Sequence, residues 1–420
     1  MVTPGLLAWG AENVTKLYDA VREGEVVQVK DLLSRKVDVN GRAADGSTAL
    51  MVAADKGNVG LLSLLLEAGA NPALADENGD TALSAATGKP ELMKILLDAG
   101  APVDSKKWNG ETPLMTAARI GNLAVVDLLL ARGANPNAAE NRQGQTALMW
   151  AAAANRVKVV QALLAKGADV KVESLAGSTA LDFAVESGKV ETVQALLAKG
   201  ADVRHVRKDG TTPVLLAVNY GQPENLTALL DAGADVETRD KNGYTLMHLA
   251  AKMGYGPLIT SLAKRGVPLE TKLPEQKGGG PNPFRPKTTG ATPLITAAEN
   301  GQLDAVKELI EAGADLKAKT ADGNMALGFA ILSQKLPLVK LLVEKGADVN
   351  SPGAQGRTAM HFAAQRGSIP IIKFLAENGG ALDVKDASGS TPWAVAKRRN
   401  EPSILETFQK LYTSKGIPLN

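Results

Sequence analysis

The chain has 420 residues, 45% hydrophobic but only 4% aromatic, and no cysteine, which excludes disulfides, thiolate metal sites and cysteine catalysis. Its 47 basic and 45 acidic residues leave a net charge of +2, far from the one-sign basic stripe that nucleic-acid binding requires. No apolar run approaches the ~20 residues of a membrane span.

Residues 1–12 are short and apolar, from Val2 to Ala11. Two readings stand for them: a truncated secretory signal, since Ala8-x-Gly10 resembles a small-x-small cleavage end, or a lead-in that packs on the first unit. Residues 13–40 hold Leu17, Ala20, Val21, Val29, Leu32 and Leu33 at helical spacing, an N-terminal cap.

From there the string Gly-x-Thr-[Ala/Pro]-Leu recurs. Its Thr falls at Thr48, Thr81, Thr112, Thr146, Thr179, Thr212, Thr245, Thr292, Thr358 and Thr391, with Met325 in the Thr slot of one copy. A period near 33 means a stack of small identical units whose function lies on a long surface. In residues 110–137, Thr112 is placed to cap a first helix and Pro113 suits its first turn. Leu114, Ala117 and Ala118 form one buried stripe. Val125, Val126, Leu128, Leu129 and Leu130 form a second helix, and Gly133 ends it in the left-handed conformation.

These residues resemble the ankyrin repeat, whose hallmark is Thr-Pro-Leu-His-x-Ala at this period. The resemblance covers about residues 13–412. It implies an all-α solenoid of about twelve stacked helix-turn-helix units, with projecting β-hairpin or loop fingers and terminal caps. The C-terminal cap covers 389–412 and carries the basic stretch Lys397 to Arg399; residues 413–420 are a tail. The repeats make 13–412 a single domain. Gly144-Gln-Thr-Ala-Leu-Met-Trp and Gly290-Ala-Thr-Pro-Leu resemble secreted or periplasmic bacterial members of acidobacterial type, which implies export.

The pattern breaks in three places. The third unit is two residues short around Ala85–Glu91, which predicts a tighter turn between its helices. Residues 268–289 replace a finger with a Gly- and Pro-rich insert that forbids regular structure and presents Phe284 and Arg285 between prolines. Two readings stand for the insert, a partner-contacting loop and a tolerated surface insertion. The tenth unit has Met325 for Thr and Gln334 for the inter-helix Gly.

Chemistry is absent from the pattern. His248 and His361 take the fourth place of the hallmark, where the resemblance makes them structural, and His205 lies in a finger. Spread along a linear stack, they cannot converge on a metal or nucleophile. No catalytic, cofactor or metal site is expected, and the chain is not read as an enzyme. The resemblance instead implies a non-catalytic scaffold that binds a protein through finger tips and first-helix ends, itself monomeric. A self-associating solenoid, or an inhibitor or targeting module for another chain's enzyme, are the alternatives. Aromatics and Arg dominate binding hot spots. Trp108, Arg119, Arg142, Tyr220, Tyr244 and Met253, with Phe284 and Arg285 of the insert, are the partner-binding candidates. Trp150, Phe183, Phe329 and Phe362 share one slot of the repeat and are expected to be packing residues.

Overall fold

A computed structural model describes residues 4–275 and 288–418. Among the described residues it forms 24 α-helices in twelve pairs, with isolated β-bridges in place of strands. The chain divides into two compact units, Met1–Pro213 with pairs one to six and Val214–Asn420 with pairs seven to twelve.

The repeated residues do the same local work in each pair. The Thr of the motif stays extended and caps the first helix: Thr112 Oγ1 accepts from Met115 N at 3.4 Å, and Thr146 Oγ1 from Met149 N at 3.4 Å. Pro113, Pro293 and Pro392 occupy the first turn, where a missing N–H leaves no carbonyl unpaired. Nine residues after the cap, the chain turns through the left-handed region. Gly does this at Gly57, Gly121, Gly188 and Gly254, and Asn155, Gln334 and Asn400 do it elsewhere with φ of 56°, 59° and 54°. At Gly121 a Cβ would also lie 2.6 Å from Arg156 Cδ, so the arginine side chain would have to shift to admit one.

Packing within each unit runs from pair to pair. Leu50, Ala53, Ala54, Leu61, Leu62 and Leu65 are buried in the second pair, and their counterparts Leu114, Ala117, Ala118, Val125, Val126 and Leu129 in the fourth. Alanine on the first helix lets neighbouring helices approach closely, so few aromatics are needed. The polar ends are shared between repeats. The residue before a second helix, or near it, donates to the carbonyls that end the preceding repeat's first helix. Arg156 Nε reaches Arg119 O (3.2 Å) and Gln302 Nε2 reaches Lys252 O (3.1 Å). Those carbonyls have no partner inside their own helix. Asn137 ties fingers in the same way: its Oδ1 accepts from Asp169 N at 2.8 Å and its Nδ2 donates to Gly167 O at 3.1 Å.

The irregular places depart from the sequence expectations in instructive ways. The third unit does not tighten its turn. Its first helix shrinks to Ala82–Ala85, and the four residues 86–89 lead to the second helix, where the second pair needs only Gly57 and Asn58. The shortening falls on the helix because the left-handed Gly is lost; Gly88 does not take positive φ. At the other irregular unit, Met325 stands at the N-cap with no side-chain bond. The helix Pro4–Glu23 begins within residues 1–12 and continues through the first cap, and the last helix runs from Pro402 to Ser414. Trp393, Phe408 and Tyr412 close the C-terminal end as a cluster of tilted rings 6.2–6.5 Å apart.

Candidate partner-binding face

Fingers and first helices meet on one face of each unit. In the first unit Arg207, from a finger, pairs with Glu186 near the end of a first helix at 2.7 Å, and Glu111 beside its finger accepts from Thr116 Oγ1. The finger tips are joined to each other through the backbone. Trp108 N donates to Asn78 O (2.9 Å), Asn141 N to Asn109 O (2.7 Å) and Leu175 N to Gln143 O (2.8 Å). The bridges Ala75↔Thr81 and Ala139↔Thr146 close two of these fingers at their base. The tips are therefore held as a fixed row.

On that row Trp108 is 67% exposed and Leu175 62% exposed, with Arg142 exposed between them. Behind it lie the first-helix ends. The Arg119 guanidinium sits over the Trp150 ring, 5.5 Å from its centroid, and Ile120 beside it is exposed. Trp150 was expected in the core with Phe183, Phe329 and Phe362. It is half-buried instead, as is Phe183, whereas Phe329 and Phe362 are buried. The slot four residues after the capping Thr is half-open in the first unit, at Val52, Thr116, Trp150 and Phe183, and closed in the second, at Leu216, Leu249, Phe329 and Phe362. Trp150 Nε1 is enclosed yet bonds to no protein atom. The pairing of Trp150 with Arg119 spans two repeats, so the shared slot alone does not reveal it.

In the second unit Tyr220 is 53% and Met253 46% exposed at the ends of first helices. Tyr244 is half-buried. Its ring meets His248 edge-on at 6.0 Å, and Lys252 Nζ lies 4.9 Å over it. Tyr244 thus packs on the repeat against His248 and carries the Lys252 cation over its ring. The stem of the insert is pinned on the same unit: Leu273 is buried, donates to Ala291 O and accepts from Gly290 N, both at 2.9 Å. Phe284 and Arg285 lie outside the described residues.

The histidines are spent on structure. His248 Nε2 donates to Ala291 O at 3.1 Å and His361 Nε2 to Ser390 O at 3.0 Å, while each Nδ1 bonds the capping Thr of its own repeat. Burial holds the His248 imidazole down at a pKa of about 4 and also lowers His361. In the sixth repeat Asp182 replaces this histidine. Its Oδ2 accepts from Thr179 N at 2.7 Å, its Oδ1 has no partner, and burial raises its pKa. His205 of the following finger bonds Gly177 O at 2.7 Å and lies 4.0 Å from Asp182.

Matches to known families decide what this face belongs to. The family described as ankyrin repeats (3 copies) matches residues 17–107, 84–174, 181–272 and 273–353, and ankyrin repeats (many copies) matches 342–396. The chain belongs to the ankyrin-repeat proteins. These ankyrin repeats carry a protein–protein interaction role. Part of the chain is similar to the mitochondrial disaggregase of Bos taurus, 48% identical over 61 residues, and to that of Homo sapiens, 44% identical over 61 residues. Each match covers 14% of this ankyrin chain and 9% of the relative. These matches lend no support to the likeness to exported acidobacterial proteins expected from the residues.

Proposed function

We propose that this ankyrin-repeat chain is a non-catalytic scaffold that grips one partner protein with its finger tips and first-helix ends. The observation that carries the reading is the Arg119–Trp150 pair. A guanidinium over a half-exposed indole, beside the exposed Ile120, joins the side chains most often found at binding hot spots on a preformed surface. Trp108 and Arg142 are the further contacts proposed on the first unit; Tyr220, Tyr244 and Met253 are the candidates of the second unit, taken by itself. The 268–289 loop, with Phe284 and Arg285 outside the described residues, is a separate candidate contact. The fixed row of tips supports affinity, because little side-chain and loop ordering remains to be done on binding.

Affinity capture from native-source extract tests the reading. The parent chain is run beside Arg119→Ala/Trp150→Ala and Tyr220→Ala/Met253→Ala variants of unchanged helicity, with mass spectrometry of what is retained. One protein retained by the parent and lost from a variant is expected. Retention of the same protein by every variant, or of nothing but the chain itself, overturns the reading and turns attention to self-association.

A further inference from the structure

One repeat of the first unit leaves the end of its first helix almost bare. Seven residues after the capping Thr, three successive repeats carry Arg119, Ala153 and Glu186, and at the next position Ile120, Ala154 and Ser187. The fifth repeat therefore ends in two methyl groups between neighbours with longer side chains. The three first helices pack side by side, so the methyls form the floor of a notch, walled by Arg119 and Ile120 on one side and by Glu186 on the other. Trp150 stands three residues before Ala153 and Phe183 three before Glu186, on the same helix faces, so two half-buried rings border the notch.

The charges around the notch are unevenly used. Glu186 is paired with Arg207 at 2.7 Å, and Glu111 of the fourth repeat accepts from Thr116 Oγ1. Arg156 spends its Nε on Arg119 O at 3.2 Å. The exposed Arg119 guanidinium has the Trp150 ring as its partner and, among the described residues, no carboxylate or carbonyl. The carboxylates beside the notch are thus taken, while its nearest cation keeps a fork of N–H donors unused. That fork matches a carboxylate, which it meets with two parallel bonds. Methyls between an indole and a phenyl ring suit an aromatic side chain, which packs on both rings at offset or edge-on angles.

We infer that the notch over Ala153 takes an aromatic side chain from an acidic segment of the partner, with a carboxylate next to that ring paired to Arg119. The inference rests on the reading above that this face meets a partner, and adds the chemistry of the segment. Charge complementarity selects the occupant: a basic segment would bring like charge to Arg119, whose repulsion no free carboxylate beside the notch offsets.

The test uses the full chain and labelled synthetic peptides, read by fluorescence anisotropy. The probe is Ser-Glu-Glu-Phe-Glu-Glu-Ser, compared with Ser-Glu-Glu-Ala-Glu-Glu-Ser and Ser-Lys-Lys-Phe-Lys-Lys-Ser. The probe should bind at least about tenfold tighter than either. Ala153→Leu fills the notch at an exposed position and should weaken probe binding at least about tenfold at unchanged helicity. Arg119→Glu should abolish probe binding and admit the lysine peptide. Lys166→Glu makes the same change of net charge at the exposed end of the fifth repeat's second helix and should leave probe binding as it is. Equal affinity for probe and alanine peptide, or for probe and lysine peptide, overturns the inference. So does no binding up to on the order of 1 mM peptide, parent-like binding by Ala153→Leu, or an equal loss in Lys166→Glu and Arg119→Glu. If the peptides fail while extract capture still yields a partner lost from the Arg119/Trp150 variant, the scaffold reading stands and this class of segment alone falls.

Discussion

His248 donates its Nε2–H to the carbonyl of Ala291, 3.1 Å away and one repeat further along the chain. The carbonyl can only accept, so the proton sits on Nε2 and Nδ1 accepts from Thr245 Oγ1 at 2.8 Å. One imidazole thus holds its own helix cap and the next finger. His248→Ala should lower the stability of the second unit by about 2 kcal/mol, measured as a shift of the urea midpoint. The pH dependence follows from burial. The ring is charged below pH 6.5 when unfolded but only below about 4 when folded. Its contribution is complete above pH 6.5 and is lost as pH falls toward 4, on the order of 3 kcal/mol across that window. His248→Ala should remove this part of the acid sensitivity; an unchanged pH profile would show that the ring titrates freely.

Asp182 stands in the same place of the sixth repeat and has the opposite sign. Burial raises its pKa in the folded chain above 3.8, more than its bonds to Thr179 lower it. Its favourable share of stability is present below pH 3.8 and is lost as pH rises through the folded value. Asp182→Asn keeps an acceptor for Thr179 and removes the buried charge. The variant should show a higher urea midpoint than the parent at pH 7 and no advantage below pH 3.8. A lower midpoint at pH 7 would mean that the charge is used, through His205 at 4.0 Å.

The tenth repeat can be repaired. Met325 has the extended backbone of the other caps, φ −112° and ψ 169°, but gives its helix no side-chain acceptor. Met325→Thr should stabilise the second unit by about 1 kcal/mol. Gln334 holds φ 59° where most other repeats have Gly. Gln334→Gly should add about 1 kcal/mol by relieving the left-handed strain. Thermal and urea unfolding of both variants check this, and the gains should add, since cap and turn share no partner.

The Arg119–Trp150 pair separates binding from folding. Trp150 is half-exposed, and Arg119 lies on its ring face rather than under it. Arg119→Ala should weaken partner binding by about 2 kcal/mol while moving the melting temperature little. A large loss of melting temperature with intact binding would make the pair a packing element.

The local signals in the chain determine most of this fold. Thr before a helix, Pro in its first turn and Gly nine residues on act over a few bonds, so the order of helices and the place of the fingers can be read from one repeat. The same holds for the structural role of His248 and His361, whose partners recur at the period. The candidates Trp108, Arg142, Tyr220 and Met253 were also legible as large or charged residues at places the repeat leaves open. What the tertiary structure decided are relations between repeats. The third unit gave up helix rather than turn, because the left-handed residue was missing and the chain could cross to the second helix only from an earlier point. Trp150 and Phe362 occupy the same slot, yet one is half-open beneath Arg119 and the other buried. The side chains that cover a slot come from about 33 residues away, and no single repeat contains them.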